Sequence, residues 1–131
     1  MAQLRILVID DEKIICSGCD MILSDIGHSV DTCQTCGEGL AAIQTGAYHL
    51  VLLDMKLPDA DGMEVLEAVR DQPSAPYVIV MTGYSTIQNV VSAMRLGAFD
   101  YLPKPFTDEE LIDCVKRAEE KGAGNRGMEP T

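Results

Sequence analysis

Basic side chains are scarce in this sequence. Its 131 residues hold 10 Lys and Arg against 21 Asp and Glu, for a net charge of -11 at pH 7. That deficit argues against a nucleic-acid surface, which needs clustered cations. It suits a protein that binds cations or basic partner surfaces. Long apolar runs are missing too: none approaches the roughly 20 residues that span a bilayer. The opening MAQLRILVIDDEK does not read as a signal peptide, because its apolar stretch ends in acids and not in a small-residue cleavage site. A cytoplasmic protein with no membrane partner is the expectation. The five cysteines are odd in number, which argues against a disulfide framework. No internal repeat and no second domain is visible.

What the chain does have is apolar residues, 47% of the total, enough for the core of one ordinary domain. They alternate between two patterns. Short runs come at residues 4–9 (LRILVI), 28–33 (HSVDTC), 49–54 (HLVLLD), 77–82 (YVIVMT) and 98–102 (AFDYL). Near-continuous apolar strands are buried on both faces, as in a parallel sheet covered by helices; the weaker second run suits an edge strand. Helical periods fill the gaps at 12–26, 36–45, 62–71, 86–96 and 108–121. Ile15, Cys19, Ile22, Leu23 and Ile26 form the apolar stripe of the first. Thr35 with Glu38, Ser85 with Gln88 and Thr107 with Glu110 have capping-box spacing, and Asp61 suits an N-cap with Glu64 three residues on. Gly27, Gly46, Gly97 and Gly122 stand where helices should stop. Five strand–helix repeats predict an open, doubly wound α/β domain over 1–121. The final GAGNRGMEPT, 122–131, reads as a flexible tail or a truncated linker.

The polar residues fall at the ends of the buried strands. Asp10 and Asp11 end the first, Asp54 the third and Thr82 the fourth, while Lys104 follows the fifth. The carboxyl ends of such strands line one crevice where ligands bind. Three carboxylates gathered there repel one another unless a cation joins them, and an all-oxygen set favours Mg²⁺. A metal, a lysine and a hydroxyl around one aspartate are what aspartyl-phosphate formation needs.

These residues lie in the motifs VIDDE (8–12), LLDMKLPDADGMEVL (52–66), VMTGYST (80–86) and GAFDYLPKPF (97–106). Over residues 4–120 the chain resembles the receiver domains of two-component response regulators, most closely the nitrogen-regulatory (NtrC-like) type, whose longer members carry activator and DNA-binding domains. The resemblance implies a flavodoxin-like three-layer sandwich with strand order 2-1-3-4-5. It implies Asp54 as phosphoacceptor, with a histidine kinase or phosphotransfer protein as donor and transcription as the regulated output. Asp11, Asp54 and the Lys56 carbonyl would hold Mg²⁺ directly and Asp10 through water, with Mn²⁺ as a substitute. Thr82 and Lys104 would hold phosphoryl oxygens, Tyr101 would be the aromatic switch, and Lys104-Pro105 would be cis. The chain would promote only its own phosphorylation and dephosphorylation.

Other signals compete with this picture. CSGC (16–19) and CQTC (33–36) have zinc-like spacing, although Cys19 and Cys33 fall on core-facing positions where Cys acts as a small hydrophobe. Ile14, Gly18 and Met21, with Leu57, Pro58 and Pro105, would form an apolar patch for a kinase's helical domain. Residues 84–121 would carry the output and form a dimer surface, with Val90, Arg95, Asp100, Asp113 and Lys116 exposed on it. Lys56 and Tyr84 would flank the pocket and tune phosphate lifetime. Gly18 and Gly39 should each weaken their helix by up to about 1 kcal/mol relative to Ala. His28 and His49 look structural. The alternative is a Mg²⁺-dependent phosphatase, but Lys56 stands where such enzymes carry a second acid, and 131 residues leave no room for a substrate cap. A pseudo-receiver that only binds partners is a third reading, against which the intact pocket argues.

Overall fold

The computed structural model describes residues 3–57, 61–72, 75–83 and 87–123, with the side chains of 87 and 88 excepted. Five strands form one sheet: β1 (Arg5–Ile9), β2 (Ser29–Cys33), β3 (Leu50–Asp54), β4 (Tyr77–Thr82) and β5 (Asp100–Pro103). All pairings are parallel and the order is β2-β1-β3-β4-β5. The intervening helices are α1 (Lys13–Asp25), α2 (Cys36–Ile43), α3 (Gly62–Arg70), α4 (Ile87–Arg95) and α5 (Asp108–Glu120). The doubly wound architecture expected from the sequence is present, and element ends differ by a residue or two from the apolar pattern, as fraying ends do.

The sheet sorts its side chains by their alternation. Ile6, Val8, Leu50, Leu52, Ile79 and Met81 face α1 and α5 in one core. Leu7, Ile9, Val51, Leu53, Val78 and Val80 face α2, α3 and α4 in the other. Every residue of β3 is buried, whereas β2, at the sheet's edge, is exposed or half-buried throughout.

Helix ends follow the local chemistry. Thr107 and Glu110 form a complete capping box at α5. At α2 the box is only half formed: Thr35 accepts from the Glu38 N–H, but Glu38 accepts from the Gln34 N–H. Asp61 caps α3 by accepting from Met63. The Ser85 cap lies outside the described residues. Gly27, Gly46, Gly97 and Gly122 all take positive φ, so the helices stop at backbone conformations that favour glycine.

Three expectations need correction. Cys16, left off the α1 stripe, is buried with Cys19 and Leu23, while Ile15, Ile22 and Ile26 are only partly buried. Leu57 is buried in the second core and cannot join an apolar docking patch; Pro58 of that patch lies outside the described residues. Ile14 and Met21 do stand exposed on α1, at 79% and 72%. Asp100 is no free surface charge, because Arg117 Nη2 holds its carboxylate at 2.9 Å.

Candidate functional site

Strand register assembles the crevice. Ile9 of β1 pairs with Leu53 of β3, so Asp10 and Asp54, one residue further on, arrive side by side. Thr82 pairs with Pro103, and the Lys104 N–H donates to the Thr82 carbonyl at 2.9 Å. The Lys104-Pro105 peptide is cis, as the resemblance implied. Four segments thus deliver Asp10, Asp54, Thr82 and Lys104 to one end of the sheet, where three of them, Asp10, Asp54 and Thr82, are buried.

Lys104 stands at the centre of the acids. Its Nζ lies 2.7 Å from Asp10 Oδ2, 3.0 Å from Glu12 Oε2 and 3.5 Å from Asp54 Oδ2. Burial alone would lower the ammonium's pKa, but contacts with Asp10 and Glu12 and the charge of Asp54 outweigh it and hold the group above the usual lysine value. Asp54 shows the opposite balance. Burial pushes its carboxyl up to about 6, with Asp10 and Asp11 adding to the rise, although the Lys56 N–H and the Lys104 charge pull it down. The Lys56 N–H donates to Asp54 Oδ1 at 3.1 Å, and the Glu12 N–H donates to Asp10 Oδ1 at 2.9 Å.

The donor chemistry fits a hard divalent cation. Asp10, Asp11, Glu12 and Asp54 each offer a carboxylate oxygen, all within 4.8 Å of one another. Asp10 Oδ2 is fully buried, with the Lys104 ammonium 2.7 Å away as its counter-ion. Four carboxylates gathered around one ammonium leave negative charge that a small cation would relieve.

Asp10, Asp11 and Asp54 were expected here, and Glu12 was missed. Its signal was the third acid of VIDDE, which the Asp10–Glu12 turn bends back over Lys104. Tyr101 lies on β5 with 37% of its surface exposed. Tyr84 lies outside the described residues.

The cysteine pairs form no site. Cys16 and Cys19 pack into the core under α1, whereas Cys36 is buried in the opposite core and Cys33 packs against it. Among the described residues they are not part of a group that could hold a metal. Burial pushes the Cys19 and Cys33 thiols up to about 12, away from the thiolate that metal binding needs. The histidines are structural. His28 Nδ1 accepts from the Leu4 N–H at 3.0 Å, and His49 Nδ1 accepts from the Arg5 N–H at 2.9 Å, both at the start of β1. No helix among the described residues is long and apolar enough to cross a membrane.

Known proteins resemble this chain in sequence and fold. The response regulator receiver domain family matches residues 6–116. The transcriptional regulatory protein DltR of Streptococcus agalactiae is 41% identical over 113 residues, which is 86% of this chain and 50% of DltR. NtrX of Brucella abortus superposes with a TM-score of 0.84 at 38% identity, covering 91% of this chain and 27% of NtrX. A CheY-like receiver domain protein of Methanospirillum hungatei superposes with a TM-score of 0.83 at 36% identity, covering 92% of this chain and 100% of that one. The chain therefore spans about half the length of DltR and about a quarter of NtrX. The chain belongs to the response regulator receiver domain family, the phosphoacceptor modules of two-component signalling.

Proposed function

We propose that Asp54 accepts a phosphoryl group from a phosphohistidine of a sensor histidine kinase or phosphotransfer protein. A carboxylate oxygen attacks the phosphorus in line. The new O–P bond forms as the P–N bond breaks, and the electron pair returns to the imidazole nitrogen, which takes up a proton. Lys104 holds one phosphoryl oxygen and the Thr82 hydroxyl another. Asp11, Asp54 and the Lys56 carbonyl, with help from Asp10, would hold Mg²⁺, or Mn²⁺ in its place, and the bound cation would neutralise the phosphoryl oxygens. The receiver unit, expected over residues 1–121, takes in Ala123 as well, which is buried in the first core; the rest of the expected tail or linker, 124–131, lies outside the described residues. The chain catalyses only its own phosphorylation and dephosphorylation.

The new charge biases a two-state equilibrium that Thr82 and Tyr101 report to the segment 84–121. That segment either dimerises or engages an output unit that regulates transcription. Exposed Val91 and Met94 on α4 give it apolar contact area.

The observation that supports this reading best is Asp54 itself: a buried carboxyl pushed up to about 6, within 3.5 Å of the Lys104 ammonium and inside a cluster of four acids. Acetyl phosphate and Mg²⁺ should add one phosphoryl mass to the intact chain, and Asp54→Asn should abolish the adduct. Labelling that survives Asp54→Asn, or turnover of many phosphates per chain, would overturn it.

A further inference from the structure

A second concavity lies at the other end of the sheet. Tyr77 opens β4 and Phe99 immediately precedes β5, whereas Thr82 closes β4 at the acidic crevice. Five residue steps separate Tyr77 from Thr82, about 16 Å along a strand. The groove encloses about 500 Å³, in the range of small-molecule sites.

Its chemistry is opposite to that of the crevice. The walls mix apolar and polar surface, and the apolar part comes from the rings of Tyr77 and Phe99 over the buried side chains of Leu66, Val69 and Val78. The two rings pack at a centroid distance of 5.3 Å, tilted by 41°. Among the described residues, the charged ones lining the groove are both basic, Arg70 and Lys121, in a chain whose net charge is -11. Arg70 lies across Gly97, where an added Cβ would meet its Cγ and Cδ at 3.7 Å, so its stem covers part of the groove while its guanidinium reaches the rim. The acid at that guanidinium is Asp71, with Oδ1 3.5 Å from Nε in an exposed pair. Such a contact is weak and an incoming anion can displace it. The Tyr77 hydroxyl donates to the Lys121 carbonyl at 2.8 Å, which fixes the end of α5 beside the opening.

We propose that this groove binds a small amphipathic anion: an organic carboxylate or sulfonate whose flat apolar body lies against Phe99 and Tyr77 and whose charged end meets Arg70 and Lys121. Shape and apolar lining select the body, and the two cations select the charge. An apolar partner without a negative end would leave both cations unused, and a bare inorganic anion would leave the apolar walls unused. The occupied groove would join α3 to the end of α5. It is independent of phosphoryl chemistry at Asp54.

The test is a titration of the isotope-labelled chain followed by amide chemical shifts, with three probes. 1-Naphthoate should shift Tyr77, Ala98 and Phe99 saturably. Its neutral counterpart, 1-naphthalenemethanol, should bind about tenfold more weakly, the factor that matches one charge-assisted contact. Inorganic phosphate should leave these amides unmoved. Arg70→Glu should weaken naphthoate by about the same factor beyond any loss seen for the alcohol, since it shortens the Arg70 stem for both. Ala75→Phe, at a half-buried lining position, should exclude both. Unmoved strand amides at β1 and β3 will show that each variant folds. The proposal is overturned if naphthoate gives no saturable shift at those three amides, or if Arg70→Glu leaves its affinity intact. Equal binding of acid and alcohol also overturns it, and would mark the groove as a contact for another protein surface.

Discussion

Lys104 Nζ and Glu12 Oε2 meet at 3.0 Å, although 92 residues separate them in the chain. The contact ties the turn after β1 to the loop after β5 across the mouth of the crevice. Glu12 thereby adds a fourth carboxylate to the cation cluster and competes with Asp10 and Asp54 for the ammonium. Because the Glu12 side chain is 54% exposed, its share is small. Glu12→Gln should weaken Mg²⁺ binding by no more than about fivefold, the upper end for an exposed ion pair. Calorimetric titration with Mg²⁺ checks this; no loss of affinity would remove Glu12 from the cluster.

Asp54 should cost the fold stability near neutral pH. Its carboxyl is raised from 3.8 to about 6 by burial, so folding opposes its ionisation. A group whose folded pKa is raised contributes stability below its unfolded pKa and loses it as pH climbs through the folded value. Asp54→Asn should therefore stabilise the metal-free chain above pH 6 by up to roughly 3 kcal/mol, and the gain should vanish toward pH 4. Urea midpoints of both chains across that window test it. A gain that is independent of pH would point to packing instead of charge.

Why the crevice was legible and parts of it were not follows from sequence distance. Buried strands tolerate polar residues only at their ends, so Asp10, Asp54 and Thr82 stood out against apolar runs. Glu12 did not, since its role depends on a lysine 92 residues away. The Asp100–Arg117 pair was hidden for the same reason: a charge on an outer strand looks solvated until the helix beside it is placed. Cys16 is buried although the periodic stripe passed it by, because its thiol points toward the Asp10 carbonyl at 3.3 Å, a backbone group that no helical period describes.

The two helical glycines should behave differently. A Cβ on Gly18 would meet nothing within 4 Å, whereas one on Gly39 would come within 2.5 Å of Ile9 Cδ1. Gly18→Ala should raise stability by up to about 1 kcal/mol, the helix propensity gain. Gly39→Ala should lower it, since α2 packs directly on β1 there and Ile9 is fully buried. Thermal unfolding of the two variants should move in opposite directions. Equal shifts would mean that Ile9 yields freely.

His28 and His49 should make the first strand acid-sensitive. Each accepts a backbone N–H at the start of β1 through Nδ1, from Leu4 just before the strand and from Arg5 in it, and a ring protonated at Nδ1 cannot accept. Burial lowers the pKa of both below 6.5; Glu119 opposes this at His28, and the charge of Arg5 adds to it at His49. For a lowered pKa the stability is present above the unfolded value and is lost as pH falls through the folded one. This contribution should therefore fade below about pH 6.5, in the direction opposite to that of Asp54. Asn at either position keeps an acceptor near Nδ1 and does not titrate. The doubly substituted chain, His28→Asn with His49→Asn, should lose less stability than the parent between pH 7.5 and 5.5, and the protection factors of the Leu4 and Arg5 amides, corrected for the intrinsic exchange rate at each pH, should lose their acid dependence. Unchanged protection factors at those two amides in the parent over the same interval would show that the rings stay neutral.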